Sequence, residues 1–186
     1  MTPQTVGPVL ETDRLILRPP QLSDLDRWTE MMGDEDASRF IGGPQTRAVC
    51  WRGMMTMVGA WATTGVSMFS VVEKSSDRWM GRIGPWYPDG WPGREVGWAL
   101  HPDSQGQGYA HEAAVATMDY AFEVLGWDAA IHTINPDNRA SIVLAEKLGS
   151  TCQGPVRLPA PYEDYPVLAW GQSRDQWRAR RGAQQG

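Results

Sequence analysis

The stretch of sequence with the clearest capacity for chemistry is the turn Gln105–Ala110, Gln-Gly-Gln-Gly-Tyr-Ala, between a predicted strand and a predicted helix. Glycines at such a junction let the backbone approach a ligand closely. The first N–H groups of a helix lack acceptors within the helix and, with the helix dipole, favour an anion. The sequence therefore predicts a phosphate or pyrophosphate site at this turn.

Three interpretations of the turn compete. The glycine count alone favours a turn that merely reverses the chain. A dinucleotide-binding G-x-G-x-x-G is weakly supported, because its third position is His111 and the turn does not lie in the first strand–helix–strand unit. A P-loop is excluded because no G-K-[ST] follows. The third interpretation rests on the sequence around the turn.

The turn and its flanks match a longer pattern. Gln105-x-x-Gly108-x-Ala110 is similar to the signature [QR]-x-x-G-x-[GA], and Glu112-Ala-Ala follows it. The preceding residues 95–102, Glu-Val-Gly-Trp-Ala-Leu-His-Pro, are similar to E-[IV]-G-[YW]-x-[LV]-x-P. Together these motifs resemble the GNAT superfamily of acetyl-CoA-dependent N-acetyltransferases.

Further motifs resemble the GNAT branch that includes ribosomal-protein N-terminal (alanine/serine) acetyltransferases. Residues 12–18 are similar to its T-x-R-L-x-L-R opening. Asn138-x-x-Ser141 and the segment 146–149, Glu-Lys-Leu-Gly, are similar to its N-x-x-S and E-K-L-G motifs. The resemblance covers roughly residues 10 to 177, nearly the whole chain.

The resemblance implies transfer of an acetyl group from acetyl-CoA, as co-substrate, to a primary amine by direct attack in a ternary complex. The acceptor would be a protein N-terminus or a small amine. A hypothesis from another class is a non-catalytic acyl-CoA-binding regulatory module. Coenzyme-binding residues carried over from the family are Trp98, Ala99, Leu100, Gln105, Gly106, Gln107, Gly108, Tyr109, Ala110 and Asn138.

Three positions depart from the family pattern. Gln107 stands where many members have Lys or Arg, so the backbone and helix dipole must do more at the phosphates. Ala145 stands where many have a tyrosine that acts as general acid, and Ser150 where an aromatic residue often follows the glycine. The missing tyrosine keeps the regulatory hypothesis open.

Glu95 is the leading candidate for a catalytic base. Strand alternation places it on the same face as Gly97 and Ala99, whose small size would leave a groove for a substrate ammonium. The alternative is a surface glutamate or one paired with Arg94 or Arg82.

Ser141 is the candidate donor to the coenzyme sulfur. The alternatives are a helical serine bonded to a preceding carbonyl and, for Asn138, a simple helix-start residue. His101 is expected to be exposed or capping, and His111 and His132 to be structural or solvated.

The loop after the third main strand is the candidate acceptor site. Its residues Trp86, Tyr87, Asp89 and Trp91 are unusually aromatic, and Asp89 would attract a cationic amine. The alternatives are a satellite core cluster or a subunit contact.

The elements that must position these residues are predicted from apolar periodicity. Strands are expected at 14–18, 66–73, 79–86, 95–101, 129–134 and 167–170, and helices at 23–32, 46–63, 108–125, 137–147 and 172–180. This order predicts one α/β (α+β) domain over residues 1–186, with a core of about 10–177 and a short tail. The expected GNAT-like fold is a mixed, mostly antiparallel sheet of six to seven strands, splayed between the fourth and fifth, with helices on both faces.

Composition and charge indicate which classes of binding partner to expect. The net charge is −5 and no long basic run occurs, so no nucleic-acid partner is expected. No apolar window approaches 18 residues, and Met1–Leu10 lacks a signal-peptide pattern, so a cytoplasmic protein with no membrane partner is expected. Two cysteines and three scattered histidines predict free thiols and no metal site. A homodimer is a family-level expectation only.

Overall fold

The computed structural model describes residues 6–184. Residues 1–5 and 185–186 lie outside the described residues. The first half of the segment Met1–Leu10, which was expected to lack a signal peptide, is therefore among the residues not described. The chain divides into two units, each built from two stretches of sequence. The first comprises the chain up to Gly84 with Trp98–Ala116, and the second comprises Pro85–Gly97 with the chain from Thr117 onward.

Eight strands occur within the described part of the chain: β1 (Leu10–Glu11), β2 (Leu15–Arg18), β3 (Phe69–Glu73), β4 (Arg78–Trp86), β5 (Glu95–Leu100), β6 (Ala129–Ile134), β7 (Thr151–Val156) and β8 (Val167–Ser173). The α-helices are α1 (Leu25–Gly33), α2 (Glu35–Ser38), α3 (Arg47–Thr64), α4 (Tyr109–Asp119), α5 (Arg139–Leu148) and α6 (Arg174–Gln184). Short 3₁₀ turns cover Leu22–Asp24 and Pro102–Ser104, and α4 continues as a π-helical turn over Tyr120–Val124.

In the first unit, β1, β2, β3 and β4 pair antiparallel in sequence order. Leu15 and Leu17 of β2 alternate with less buried neighbours, so β2 turns one apolar face to the core. Trp28 of α1 stacks on Trp79 of β4 with ring centroids 5.7 Å apart. These contacts give the first unit its own apolar core.

A buried ion pair fixes the start of α1 in the first unit. The Asp24 carboxylate lies 2.7 Å from the Arg18 guanidinium and accepts a 2.7 Å hydrogen bond from Ser70, whose hydroxyl in turn accepts one from Trp79. Removal of the Arg18 guanidinium would leave the Asp24 carboxylate buried without its countercharge, which is strongly destabilising.

In the second unit, β6 pairs antiparallel with β8, and β8 with β7. The beginning of β5 pairs with β6 in parallel, with Glu95 opposite Ile131. Phe122 and Trp177 pack with ring centroids 6.3 Å apart, and the Trp177 indole donates to Asp119 at 2.7 Å. The C-terminal helix α6 is thereby anchored in the core of this unit.

The expected fold class is confirmed as a mixed, mostly antiparallel sheet with helices, and its strands follow the order β1-β2-β3-β4-β5-β6-β8-β7. The described chain has eight strands, whereas six to seven were expected. The sequence did not predict β1, which is only two residues long, or β7, which contains Gly154 and Pro155. Glycine and proline weaken the sequence pattern of a strand. No helix among residues 6–184 has both the length and the apolar character needed to cross a bilayer.

Candidate active site

The predicted phosphate turn follows β5 in the first unit. Gly106 and Gly108 adopt positive φ angles of 72° and 82°, which other residues rarely adopt. Helix α4 begins at Tyr109, directly after Gly108. The turn thus has the strand–glycine–helix form expected of an anion site.

Both glutamines of the turn brace it. Gln105 Nε2 donates to the Leu100 carbonyl at 3.2 Å, and Gln107 Nε2 donates to the Asp103 carbonyl at 2.9 Å. These two hydrogen bonds stabilise the exposed turn. His101 caps the preceding 3₁₀ turn, because its Nδ1 accepts a hydrogen bond from the Asp103 backbone N–H at 3.4 Å, so its expected capping role is confirmed.

A cation at the turn was missed by the sequence analysis. The Arg14 guanidinium donates to the Gln107 carbonyl at 3.0 Å and lies 4.3 Å from the centre of the Tyr109 ring. It also pairs with Glu112 at 2.6 Å. Arg14 therefore supplies positive charge beside the position where Gln107 replaces a basic residue, although Glu112 offsets part of it.

The other residues proposed to bind the coenzyme lie at the start of α4 and in the second half of β5. The Tyr109 hydroxyl donates to Glu73, and its ring is buried, so the side chain holds the start of α4 in place. Trp98, Ala99 and Leu100 are half-buried, unlike the fully buried first half of β5. The rest of the protein therefore covers the second half of the strand only in part.

Glu95 is buried in the second unit, with 6% of its surface exposed. Its carboxylate accepts hydrogen bonds from the Trp91 indole at 2.5 Å and the Thr133 hydroxyl at 2.9 Å. The Thr133 backbone N–H adds a longer bond of 3.3 Å. Within residues 6–184, Glu95 takes part in none of the observed ion pairs, which disfavours the arginine-paired interpretation.

Burial raises the pKa of Glu95 from 4.5 to about 7, although the three hydrogen bonds favour the charged form and oppose the rise. A carboxylate with a pKa near neutral pH accepts a proton readily and releases it again. Arg94, the other arginine considered as a partner, lies instead over the Trp127 ring, 6.0 Å from its centre.

Ser141 and Asn138 lie at the start of α5 in the second unit. The Asn138 side chain accepts the Ser141 backbone N–H at 3.2 Å, so Asn138 is the N-cap of the helix. Ser141 is half-buried in the first turn. Ala145, one turn later, is fully buried. Because it is an alanine, this position of α5 provides no hydroxyl group.

The predicted acceptor loop joins β4 to β5, with half-buried Trp86 at its start and Tyr87 and Asp89 exposed. A side chain at Gly90 would come within 3.4 Å of Pro159. Trp91 points inward and donates to Glu95, a link that strand periodicity could not indicate. The structure therefore joins one predicted acceptor residue to the predicted base.

His132 is buried within a polar network of the second unit, which confirms a structural position for it, and His111 is exposed. His132 Nδ1 lies 2.7 Å from the Val96 carbonyl oxygen and Nε2 lies 3.0 Å from Ser150 Oγ. Ser150 is thus a buried polar partner at the position where the family often has an aromatic residue.

Cys50 is buried, Cys152 is exposed, and both are free thiols. No cluster of three or more metal-ligating side chains occurs in the described range 6–184.

With this geometry in place, comparison with known proteins identifies the class. The chain matches the family model described as acetyltransferase (GNAT) domain over residues 14–151, a range that includes the turn, Glu95 and Ser141. The protein therefore belongs to the GNAT acetyltransferase family, and it is an N-acetyltransferase.

Individual relatives agree with this assignment. The uncharacterized N-acetyltransferase p20 of Bacillus licheniformis is 30% identical over 151 residues, which cover 80% of this chain and 85% of that protein. The crystal structure of an acetyltransferase from Agrobacterium tumefaciens str. C58 is similar with a TM-score of 0.79 and 30% identity, over 90% of this chain and 95% of that one.

A Vibrio cholerae protein assigned as a ribosomal-protein-serine acetyltransferase is similar in structure, with a TM-score of 0.77 over 93% of this chain and 99% of that one. The two chains are 19% identical, so this likeness concerns the fold.

Proposed function

We propose that this acetyltransferase moves an acetyl group from acetyl-CoA to a primary amine, with Glu95 as general base. The acceptor is a peptide N-terminus or a small amine, and the attack is direct. The observation that carries the proposal is Glu95 itself, a buried carboxyl group with hydrogen-bond donors from Trp91 and Thr133 and a pKa of about 7.

The turn Gln105–Ala110 is proposed to hold the coenzyme pyrophosphate. A Cβ atom at Gly106 would meet no atom within 4 Å, and Gly108 faces Arg14, so the surface of the turn is open beside a cation. Trp98, Ala99 and Leu100 are proposed to bind the pantetheine arm along β5, and Asn138 to bond its amides. Acetyl-CoA, when bound, supplies the acetyl group as a reactive thioester.

The acceptor amine must lose a proton before it can attack, because an ammonium nitrogen has no lone pair. We assign that proton to the Glu95 carboxylate, directly or through water. As the new C–N bond forms and the C–S bond breaks, the nitrogen releases a second proton, which the departing sulfur takes up. The Ser141 hydroxyl is proposed to donate a hydrogen bond to that sulfur as its charge develops.

The proposed acceptor site is the loop with Trp86, Tyr87, Asp89 and Trp91. The exposed Asp89 carboxylate would attract a cationic amine, and the aromatic rings would contact its aliphatic or peptide portion. The motifs shared with ribosomal-protein N-terminal acetyltransferases favour a protein N-terminus. We place the activity in a single domain in the cytoplasm, where Cys50 and Cys152 stay reduced.

A thiol-release screen with peptides and small amines tests the proposal. Coenzyme A release should require both acetyl-CoA and an acceptor. The thiol-detecting reagent can also react with the exposed Cys152, and reactions without acceptor correct for that background. The buried Ala145 favours one rival, a regulatory acyl-CoA-binding module. Tight acetyl-CoA binding by calorimetry with no thiol release from a broad amine panel would establish that rival.

A further inference from the structure

The parallel ladder between β5 and β6 ends directly after its Glu95–Ile131 pair. Ile131 N–H donates to the Arg94 carbonyl at 2.9 Å, as a parallel ladder requires. The next N–H of β6 to donate in such a ladder would be that of Thr133, and its acceptor would be the Val96 carbonyl. Instead, Thr133 N–H donates to the Glu95 carboxylate at 3.3 Å, and the Val96 carbonyl is bonded to the His132 side chain at 2.7 Å.

Two backbone groups that could pair with each other are therefore each bonded to a side chain. A buried carbonyl without a donor is costly, so the Val96 oxygen would not be released from the ladder unless another donor replaced Thr133. His132 is that donor. The release leaves Thr133 N–H available to the Glu95 carboxylate.

The donor and acceptor roles of the two ring nitrogens of His132 follow from their contacts with Val96 and Ser150. Burial lowers the pKa of His132 to about 4, so the ring is neutral near pH 7. Because a carbonyl oxygen only accepts, Nδ1 carries the proton, and Nε2 must accept from the Ser150 hydroxyl. Gln172 Nε2 donates to Ser150 Oγ at 3.0 Å and to the Leu148 carbonyl at 2.9 Å.

We infer that His132 is a positioning residue for catalysis. By bonding the Val96 carbonyl it ends the parallel ladder and reserves the Thr133 backbone N–H for Glu95, and Ser150 with Gln172 holds the required tautomer. The catalytic consequence rests on the proposed role of Glu95 as base. The ladder consequence does not, so the two can fail separately.

Two substitutions at His132 separate positioning from packing. His132→Phe keeps a planar ring of similar size but has no donor. His132→Asn keeps an N–H donor close to the position of Nδ1, so it can still bond the Val96 carbonyl, while it loses the Ser150 contact. If His132 only fills space in the core, Phe should be the better replacement. If its Nδ1–H ends the ladder, Asn should be the better replacement.

The direct readout is the NMR scalar coupling across a hydrogen bond, measured between Thr133 ¹⁵N and Val96 ¹³C′. We expect no coupling in wild type or His132→Asn, and a measurable coupling in His132→Phe, where the ladder gains a bond. Glu95 then loses a donor, so the acidic limb of kcat/KM should move up by roughly half to one pH unit in His132→Phe. It should stay near the wild-type position in His132→Asn.

The wild-type protein provides a test that does not depend on a folded variant. The His132 ring nitrogens should show a neutral Nδ1–H tautomer from pH 5 to 8. A Thr133–Val96 coupling or an Nε2–H tautomer in wild type would overturn the inference, as would a His132→Phe protein with no coupling and an unmoved acidic limb. A Thr133–Val96 coupling gained in His132→Phe, together with a Glu95→Gln enzyme of normal pH profile, would support the ladder role of His132 and reject Glu95 as base.

Discussion

Replacing Glu95 with glutamine removes a base while keeping the side-chain shape. If Glu95 takes the proton of a bound ammonium, wild-type kcat/KM should fall about tenfold per pH unit well below its pKa of about 7. The variant can react only with an amine that is already neutral. Its acidic limb should therefore move up to the pKa of the acceptor, about 8 for a peptide N-terminus and about 10 for an alkylamine.

The size of the rate loss follows from the same chemistry. General base catalysis by a positioned side chain is worth roughly 10² to 10⁴ in rate, and Glu95→Gln should lose about that factor at pH 7. Affinity for acetyl-CoA should stay near wild type, because Glu95 is assigned to the acceptor amine.

Stability provides an independent check on the environment of Glu95. Its pKa is raised from 4.5 to about 7 on folding, which corresponds to about 3 kcal/mol of preference for the neutral form. That contribution is fully present below pH 4.5 and is lost as the pH rises through about 7. The melting temperature of Glu95→Gln relative to wild type should therefore increase from pH 5 to pH 8.

The assay is kcat/KM against pH with one peptide and one alkylamine acceptor, together with melting curves. Glu35→Gln is the control, since it makes the same charge change at an exposed site. We expect the acidic limb of Glu95→Gln to lie at the pKa of the acceptor amine that is used. The acidic limb of the Glu35→Gln control should lie at the same pH as that of the wild type. A full-rate Glu95→Gln enzyme with an unchanged limb would refute the general-base argument.

Three further predictions concern other parts of the site. Gly108→Val places a branched side chain at φ 82° beside Arg14 and should weaken acetyl-CoA binding at least about tenfold by calorimetry; unchanged affinity in a folded variant would reject the phosphate site. Ser141→Ala should lower kcat while the Kd of acetyl-CoA changes little, and equal turnover would remove Ser141 from the mechanism. Trp91→Phe removes the indole donor to Glu95 and should move the acidic limb up by about one pH unit, whereas a limb at the wild-type position would show that this bond does not tune the carboxyl group.

The sequence by itself determined the local features of this protein. The order of strands and helices followed from apolar periodicity, and the turn Gln105–Ala110 was visible because glycines before a helix start are a short-range signal. The boundaries of β6 were predicted correctly at Ala129–Ile134. Short β1 and the glycine- and proline-containing β7 were not located, since their stability comes from neighbouring strands rather than from their own residues.

Only the tertiary structure decided the charges and protonation states. Arg14 reaches the turn from 93 residues away in the chain, and Thr133 reaches Glu95 from 38 residues away. Likewise, the neutrality of His132 depends on burial and on Val96, Ser150 and Gln172. A pKa is set by desolvation and by donors within a few ångströms, and those groups become neighbours only when the chain has folded.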